Sequence, residues 1–389
     1  MPSHTRTLLT LLIILCGLNL RPILAGTGPL LEPIRAATGL SFGGAALLTT
    51  LPVAMIGLCA FALPLFKRWL GSKGGILAGV LLIAAACLLR LSETTSALML
   101  SAGIAGLGIA IVQALVPALI KQHGGSRVSL MMGLYVTSIM GGATLAAGST
   151  PWLAGHLGWS PALAVWAIPA ILAALLWHSQ APAEVSHASG SASHIGRMFG
   201  KARAWSLALY FGIGTGVYVC TLAWLAPFFV FMGYSAQQSG LMLSYMTAFE
   251  VATGLLLPII AARHHDLRPW LLLTLAANLI GLAGLAWLPG QHSLLFVALL
   301  GAGIGGLFPL TMILTLQHAD DAQTAGDLTA FVQGIGYLLA AIAPFAAGWL
   351  RDLTASYTLS WQMLAGTVLI LLIMTLRFHP ARYQSALGH

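Results

Sequence analysis

Long apolar runs, separated by short polar segments, extend along almost the whole chain. A helix needs about 20 predominantly apolar residues to cross the hydrocarbon layer of a bilayer. The chain offers twelve such runs, and little chain is left for a soluble domain. We therefore predict an all-α membrane protein with twelve transmembrane helices. The predicted spans are residues 7–30, 42–66, 74–91, 97–120, 129–153, 160–178, 205–231, 236–262, 270–288, 293–316, 324–349 and 360–377.

The composition excludes a soluble globular protein, since 58% of the 389 residues are hydrophobic and only 7% are charged. The net charge of +8 suggests nucleic acid as a partner, but no basic face with interleaved aromatic residues lies outside the predicted spans. If the N-terminus is cytoplasmic, most lysines and arginines fall on the cytoplasmic side, whereas Arg35, Arg90 and Arg351 fall on the opposite side. This asymmetry predicts that both termini are cytoplasmic and that the lipid bilayer, not nucleic acid, is the surrounding partner.

The two halves of the sequence resemble each other at a nearly constant offset. Residues 33–41 match residues 227–235, and Pro151 with Gly155 matches Pro344 with Gly348. A duplicated unit of six helices explains both matches. The first apolar run could also be read as a signal peptide, but its removal would leave an odd number of spans and break the repeat, so we expect an uncleaved helix.

A polar segment rich in serine, alanine, glycine and histidine separates the two repeats. Such a composition cannot form a packed core, so we interpret it as a flexible cytoplasmic linker. The predicted domains are an N-terminal six-helix bundle (1–178), the linker (179–204) and a C-terminal six-helix bundle (205–389). In transporters built from parallel repeats, the substrate lies near the midplane between the halves, and the halves rock to expose it alternately.

Two charged residues, Arg21 and Glu250, lie near the middle of predicted spans. A charge at that depth is costly and usually faces the bundle interior or a water-filled cavity. Arg21 could bind an anion with its planar, permanently charged guanidinium, or it could form a buried ion pair with Glu250 or cap a helix end. Glu250 could be a proton-coupling or a binding residue. Burial would raise the pKa of its carboxylate, and a nearby cation would lower it.

Several polar residues lie at a depth comparable to that of Arg21, namely Asn19, Gln113, Tyr135, Thr137, Ser138, Thr215, Tyr218, Tyr245 and Gln333. Each of them is also a candidate for a hydrogen bond between helices. Asn19, Gln113 and Tyr218 rank first for substrate binding, because they lie on the first, fourth and seventh spans, which line the cavity in twelve-helix rocking folds. Gln333 and Trp224 complete the predicted substrate site, although Trp224 could instead be an interfacial aromatic residue.

No arrangement of residues indicates an enzyme or a cofactor site. The four cysteines lie in predicted spans without a CxxC spacing and are interpreted as buried apolar residues. The histidines form no cluster with metal-ligand spacing, and neither a nucleophile–base arrangement nor a nucleotide-binding loop is present. We therefore predict no enzymatic activity, no metal and no cofactor.

The chain resembles the major facilitator superfamily along its full length and, within it, the cyanate porter subfamily, which also includes nitroimidazole transporters. The residues that carry the resemblance are 17–22, 108–114 with Pro117 and Lys121, 330–337 with Pro344, and 375–378. One segment departs from the superfamily pattern, because residues 66–73, between the second and third helices, lack the acidic residue of the usual gating salt bridge.

The resemblance implies the major facilitator fold in a secondary transporter of the bacterial inner membrane, with a small anion such as cyanate as the first candidate cargo. We expect alternating access, driven by proton coupling or by exchange, in a monomer that binds a small-molecule substrate. Arg21 would bind the anion and Glu250 would carry the proton. The alternative is efflux of heteroaromatic or drug-like compounds such as nitroimidazoles, with Tyr218, Trp224, Phe228 and Phe229 as stacking surfaces.

Overall fold

The computed structural model describes residues 3–123, 125–181, 195–261, 263–264, 266–319 and 321–383, and these residues form helices joined by short turns. Twelve of the helical segments are long and apolar enough to cross a membrane, which confirms the predicted fold class. The spans are Thr7–Thr38, Phe42–Ala62, Gly71–Ser92, Thr95–His123, Leu130–Leu157, Trp159–Gln180, Ala202–Phe231, Ala236–Ala261, Arg268–Trp287, Ser293–Leu316, Gln323–Thr354 and Thr358–Leu376, numbered 1 to 12 below.

Span 1 is broken in its middle, and it ends at Thr38 and not at the predicted residue 30. It consists of helices Ser3–Leu18, Pro22–Ala25 and Leu31–Thr38 with a 3-10 turn at Gly28–Leu30. Pro22 contributes to the break, because proline has no N–H to donate to a carbonyl oxygen of the preceding turn. Arg21 lies at that break and is the residue before the short second helix.

Other spans also differ from the predicted boundaries. Spans 2 and 3 are two helices within Phe42–Leu89 that meet at Gly71, whose φ of 63° and ψ of -176° are not helical and are tolerated by glycine. Span 6 divides into Trp159–Ala164 and Ala167–Gln180, and span 11 divides into Ala322–Ala340 and Ile342–Thr354. The helices of the remaining spans are Thr95–His123, Val128–Leu157, Ala202–Phe231, Ala236–Ala261, Arg268–Trp287, Ser293–Leu316 and Thr358–Leu376.

The predicted linker is only partly within the described chain, because residues 182–194 lie outside it. Its last part is helical: Ile195–Gly200 forms a 3-10 turn, and the helix of span 7 begins at Ala202 and not at residue 205. The domain boundaries remain a prediction. Side chains 66–68 of the predicted gating segment are also outside the described residues.

Spans 1–6 (the first half) pack mainly against one another, as do spans 7–12 (the second half). The seam between the halves is formed by spans 2 and 11, spans 5 and 8, and spans 1 and 7. Small residues allow close approach here, since a Cβ on Gly57 would lie 2.8 Å from the carbonyl oxygen of Gly334. The four cysteines are buried and free, as predicted.

The two ends of the bundle are named by the chain termini. The terminal end is where the helix of span 1 begins and the helix of span 12 ends, and the far end is where the turns around residues 39–41 and 355–357 lie. At the terminal end lies the ring of Phe199, just before span 7. Its centroid is 5.0 Å from the ring centroid of Phe331 on span 11 and 6.4 Å from that of Phe61 on span 2. The end of the linker therefore contacts both halves.

His318 joins the C-terminal segment to the second half. Arg203 Nε donates to His318 Nε2 at 3.0 Å, and His318 Nδ1 donates to the Leu314 carbonyl oxygen at 2.7 Å. The imidazole stacks on Tyr383 at 4.5 Å between ring centroids and lies edge-on to Phe378 at 6.3 Å. Burial, with a smaller contribution from Arg203, lowers the pKa of His318 to about 4, so the ring is neutral at pH 7.

Acidification is expected to weaken this contact. The pKa of His318 is lower in the folded protein than the ordinary value of 6.5, so the unfolded chain binds more protons between those two values. The stabilisation is complete above pH 6.5 and is lost as the pH falls to about 4. The apparent melting temperature of purified protein should therefore fall more steeply over this range in the wild type than in His318→Phe. His156→Phe, at an exposed histidine, should keep the wild-type slope. Equal slopes in the wild type and His318→Phe would contradict the assignment.

Candidate binding site

Arg21 lies at the break of span 1, and its side chain is buried, with 5% of its surface exposed. Its Nε atom has no hydrogen-bond partner among the residues that the structure describes. The guanidinium carbon lies 5.6 Å from the ring centroid of Tyr218 on span 7, which is within the range of a cation–π contact. A cation from the first half is therefore held against an aromatic ring of the second half.

Four other side chains are within electrostatic range of the guanidinium. Tyr135 of span 5, Tyr218 of span 7, Tyr337 of span 11 and Glu250 of span 8 all interact electrostatically with it. All four are buried, with exposed fractions between 3% and 8%. The group, called the Arg21 cluster below, draws on five spans from both halves and lies at the seam between them.

Arg21 and Glu250 attract each other without forming a close ion pair. Their charges interact electrostatically, but within the described part of the chain neither Glu250 Oε2 nor Arg21 Nε has a hydrogen-bond partner. A buried charge is normally paired and hydrogen-bonded. The sequence left open a buried ion pair between these two residues. The structure does not show one.

Asn19 makes hydrogen bonds within the first half. Its side-chain Nδ2 donates to the carbonyl oxygens of Leu15 at 2.8 Å and Pro169 at 3.3 Å. The amide group thus connects the broken helix of span 1 to span 6. A hydrogen bond between helices was the alternative to substrate binding for this residue. A direct contact between Asn19 and a solute stays a prediction.

The two predicted glutamines differ in their contacts. Gln333 lies on span 11, one helical turn before Tyr337. Its Nε2 atom lies 3.3 Å from the Met312 sulfur of span 10. Gln113 of span 4 is half-buried, and its Oε1 has no hydrogen-bond partner in the described residues. The part of both glutamines in substrate binding stays a prediction.

Trp224 is 2% exposed and donates from Nε1 to the Pro344 carbonyl oxygen at 2.9 Å. The interpretation of this residue as an interfacial aromatic is therefore wrong, because the whole ring is buried between spans 7 and 11. It lines a cavity of about 10 Å³ together with Thr27 and Thr49, which is about the room that one water molecule needs. The cavity lies on the far-end side of Arg21.

The sequence comparisons agree with this architecture. The model of the Major Facilitator Superfamily matches residues 9–344. The chain belongs to the major facilitator superfamily. It is 41% identical to the cyanate transport protein CynX of Escherichia coli (strain K12), over 96% of this chain and 97% of that protein. It is 30% identical to the 2-nitroimidazole transporter of the same strain, over 94% of this chain and 92% of that protein.

Solved structures show the same fold. The crystal structure of a D-xylose-proton symporter matches with a TM-score of 0.75 at 16% identity, covering 95% of this chain and 97% of that chain. That of the nucleoside transporter NupG gives a TM-score of 0.74 at 14% identity, covering 96% of this chain and 98% of that chain. These likenesses establish the fold alone. The family match and the sequence relatives show that the protein is a multi-pass membrane transporter of this superfamily.

Two residues of the Arg21 cluster were missed as site residues from the sequence. Tyr135 was noted only for its depth, and Tyr337 was noted only within the superfamily motif at residues 330–337. One signal was available, because Gln333 and Tyr337 are four residues apart and share one face of span 11. A prediction that places Gln333 at the site therefore also points to Tyr337.

The halves of this superfamily member are joined at the far end by a carboxylate. Asp352 of span 11 accepts hydrogen bonds from the backbone N–H groups of Phe42 at 2.9 Å and Gly43 at 2.8 Å, at the start of span 2. Next to it, the Arg351 guanidinium carbon lies 4.7 Å from the Phe42 ring centroid and 4.9 Å from that of Tyr357. The carboxylate acts as a helix cap supplied by the opposite half.

Removing this cap should favour opening of the far end. A helix cap contributes about 1 kcal/mol, so Asp352→Ala should raise the open fraction about fivefold. Spin labels at Ala37 and Thr358, which are exposed on opposite halves at this end, would report the change as a longer distance population. Glu32→Gln removes a carboxylate that pairs with Arg35 of its own helix and should leave the distances unchanged. Identical distributions in Asp352→Ala and the wild type would show that the cap does not hold the halves together.

Proposed function

We propose that this protein is a secondary transporter that moves a small anion, of which cyanate is the first candidate, across the bacterial inner membrane by alternating access. The observation that carries the proposal is the buried guanidinium of Arg21, which lies between the halves with its Nε unpaired among the described residues. Such a group gains most from an anion that reaches it from a water-accessible path. The 41% identity to a protein named for cyanate transport supports this substrate.

The distribution of contacts along the seam supports alternating access. At the far end, Asp352 joins spans 2 and 11, while Gln237 Nε2 donates to the Gly148 carbonyl oxygen at 3.0 Å and joins spans 5 and 8. These contacts must separate for a solute to leave the Arg21 cluster in that direction. We assign the terminal end to the cytoplasm, in keeping with the excess of basic residues there, and a monomer is the expected transport unit.

Glu250 supplies a route to proton coupling. In the absence of anion, its carboxylate is the negative group that interacts with Arg21. An anion at Arg21 would offset that cation and leave the buried carboxylate without its favourable partner, so that proton uptake by Glu250 becomes the less costly state. Anion and proton would then move together, with no net charge transferred for a monovalent anion.

Efflux of heteroaromatic compounds is the second candidate, and one observation favours it. Three tyrosines interact electrostatically with Arg21, and the 2-nitroimidazole transporter is 30% identical over most of its length. Of the aromatic residues first considered for this role, Tyr218 faces Arg21, and Trp224 donates to the Pro344 carbonyl oxygen. Phe228 packs edge-on against Trp361 with 5.5 Å between the ring centroids, and Phe229 is 1% exposed. Stacking would thus depend on Tyr135, Tyr218 and Tyr337.

Transport by purified protein in proteoliposomes distinguishes the two candidates. The panel comprises cyanate, azide, acetate and 2-nitroimidazole, each tested with and without a pH gradient, against protein-free liposomes. Saturable uptake of cyanate or azide, without transport of 2-nitroimidazole, supports the anion carrier. Transport of 2-nitroimidazole alone would replace it with the efflux function.

A further inference from the structure

Two hydroxyl groups in the Arg21 cluster have no hydrogen-bond partner among the residues described. They belong to Tyr135, which is 3% exposed, and Tyr218, which is 8% exposed. Tyr135 lies on span 5 of the first half and Tyr218 on span 7 of the second half. Both rings are near enough to interact electrostatically with Arg21.

A buried tyrosine hydroxyl normally finds a partner. Tyr210, which is also on span 7, shows this, since its hydroxyl lies 2.8 Å from Thr375 Oγ1 of span 12. A hydroxyl that is buried without a partner lowers the stability of the fold. Two of them that interact electrostatically with one guanidinium could both be satisfied by a ligand that accepts hydrogen bonds.

The polar groups of the cluster are mostly donors. Arg21 presents N–H groups, of which Nε–H is unpaired in the described structure, and each of the two tyrosines has a hydroxyl to donate. The acceptor in the group is the carboxylate of Glu250, whose Oε2 is also unpaired there. A ligand that satisfies these donors must carry acceptor atoms, and it must meet donors that come from both halves.

We propose that the hydroxyls of Tyr135 and Tyr218 determine substrate selectivity by favouring small anions with an acceptor atom at each end. Cyanate, azide and thiocyanate have this form, whereas acetate has both oxygens at one end and a methyl group at the other. This proposal rests on the proposed function and adds the class of anion. One end of the ion lies at Arg21 and the other at the tyrosine hydroxyls. Because the hydroxyls belong to opposite halves, the bound ion also links the halves across the seam.

The ring and the hydroxyl of Tyr218 have separate roles. The ring faces the Arg21 guanidinium, and this contact does not need the hydroxyl. Substitution by phenylalanine therefore keeps the cation–π contact and the packing volume and removes the donor alone. Tyr210→Phe is the matched control, since it removes a buried hydroxyl from the same span that is bonded to the protein and not part of the cluster.

The test measures binding of azide and acetate, and the melting temperature without ligand, for wild type, Tyr135→Phe, Tyr218→Phe and Tyr210→Phe in lipid nanodiscs. Binding of cyanate is measured for the wild type. Azide serves as the two-ended probe because it is stable in water. Loss of a hydrogen bond to a charged ligand should weaken azide binding roughly tenfold in Tyr135→Phe and Tyr218→Phe, with acetate binding unchanged and no fall in melting temperature. Tyr210→Phe should show the opposite pattern, a lower melting temperature with wild-type azide binding.

Three results would overturn the proposal or its basis. Wild-type azide affinity in both cluster variants would show that the hydroxyls do not contact the ion. Equal losses for azide and acetate would show that they bind anions without selecting their shape. If the wild type binds neither azide, cyanate nor acetate, the proposed anion transport itself fails, and this result is distinct from the other two.

Discussion

Arg21→Gln should abolish saturable uptake of cyanate into proteoliposomes at substrate concentrations that the wild type transports. The guanidinium is the cation of the cluster between the halves, and removing one member of a buried charge pair costs about 2 kcal/mol or more. That corresponds to a loss of affinity of about 30-fold. Arg21→Lys keeps the charge but not the planar donor fork and should retain only part of the uptake.

The matched control is Arg268→Gln. Arg268 pairs with Asp266 at 2.7 Å at the start of span 9, away from the seam, so its loss removes one positive charge without changing the cluster. Uptake by Arg268→Gln should equal that of the wild type. Unchanged cyanate uptake in Arg21→Gln would remove the assignment of Arg21 as the anion-binding group.

Glu250→Gln should separate exchange from proton-driven accumulation. Glutamine has nearly the shape of a protonated glutamate but cannot release a proton, so the variant should still exchange internal for external anion. It should fail to accumulate anion in response to a pH gradient, whereas a carrier that moves one proton per anion reaches about tenfold accumulation for one pH unit. The measurement is uptake of labelled cyanate with and without an imposed pH gradient, alongside counterflow at equal pH.

Asp327→Asn provides the comparison for Glu250. Asp327 is also a buried carboxylate, 6% exposed on span 11, but it accepts a hydrogen bond from Gln323 Nε2 at 3.2 Å and is not part of the Arg21 cluster. Its variant should keep gradient-driven uptake. If Glu250→Gln accumulates anion as the wild type does, another group or an exchange mechanism must drive transport.

The number of spans and the position of Arg21 could be predicted from the sequence because both depend on distance along one helix. Each crossing needs about 20 apolar residues, and the depth of a residue follows from counting along the run. The break at Arg21 was harder to predict. Pro22 indicated a kink, but the close contact that accommodates it comes from Gly142 of span 5, where a Cβ would overlap the Leu18 carbonyl oxygen.

The faces of the helices could not be predicted in the same way. In a bundle of apolar helices the sequence gives little sign of which side meets lipid, a neighbouring helix or the seam. Asn19 and Tyr135 lie at similar depth, yet Asn19 bonds to span 6 while Tyr135 reaches the Arg21 cluster. The burial of Trp224 could not be predicted either. Span 11 covers this side chain, and it packs there from a distant part of the chain.

If an anion binds at Arg21 between the two halves, infrared difference spectroscopy of cyanate with the purified protein should detect it. The asymmetric stretch of cyanate responds to hydrogen bonding at the ends of the ion, so bound and free ions give separate bands. We expect a saturable, shifted band with the wild type that is absent in Arg21→Gln and retained in Arg268→Gln. A wild-type spectrum with only the band of free cyanate, or a bound band that persists in Arg21→Gln, would contradict the account.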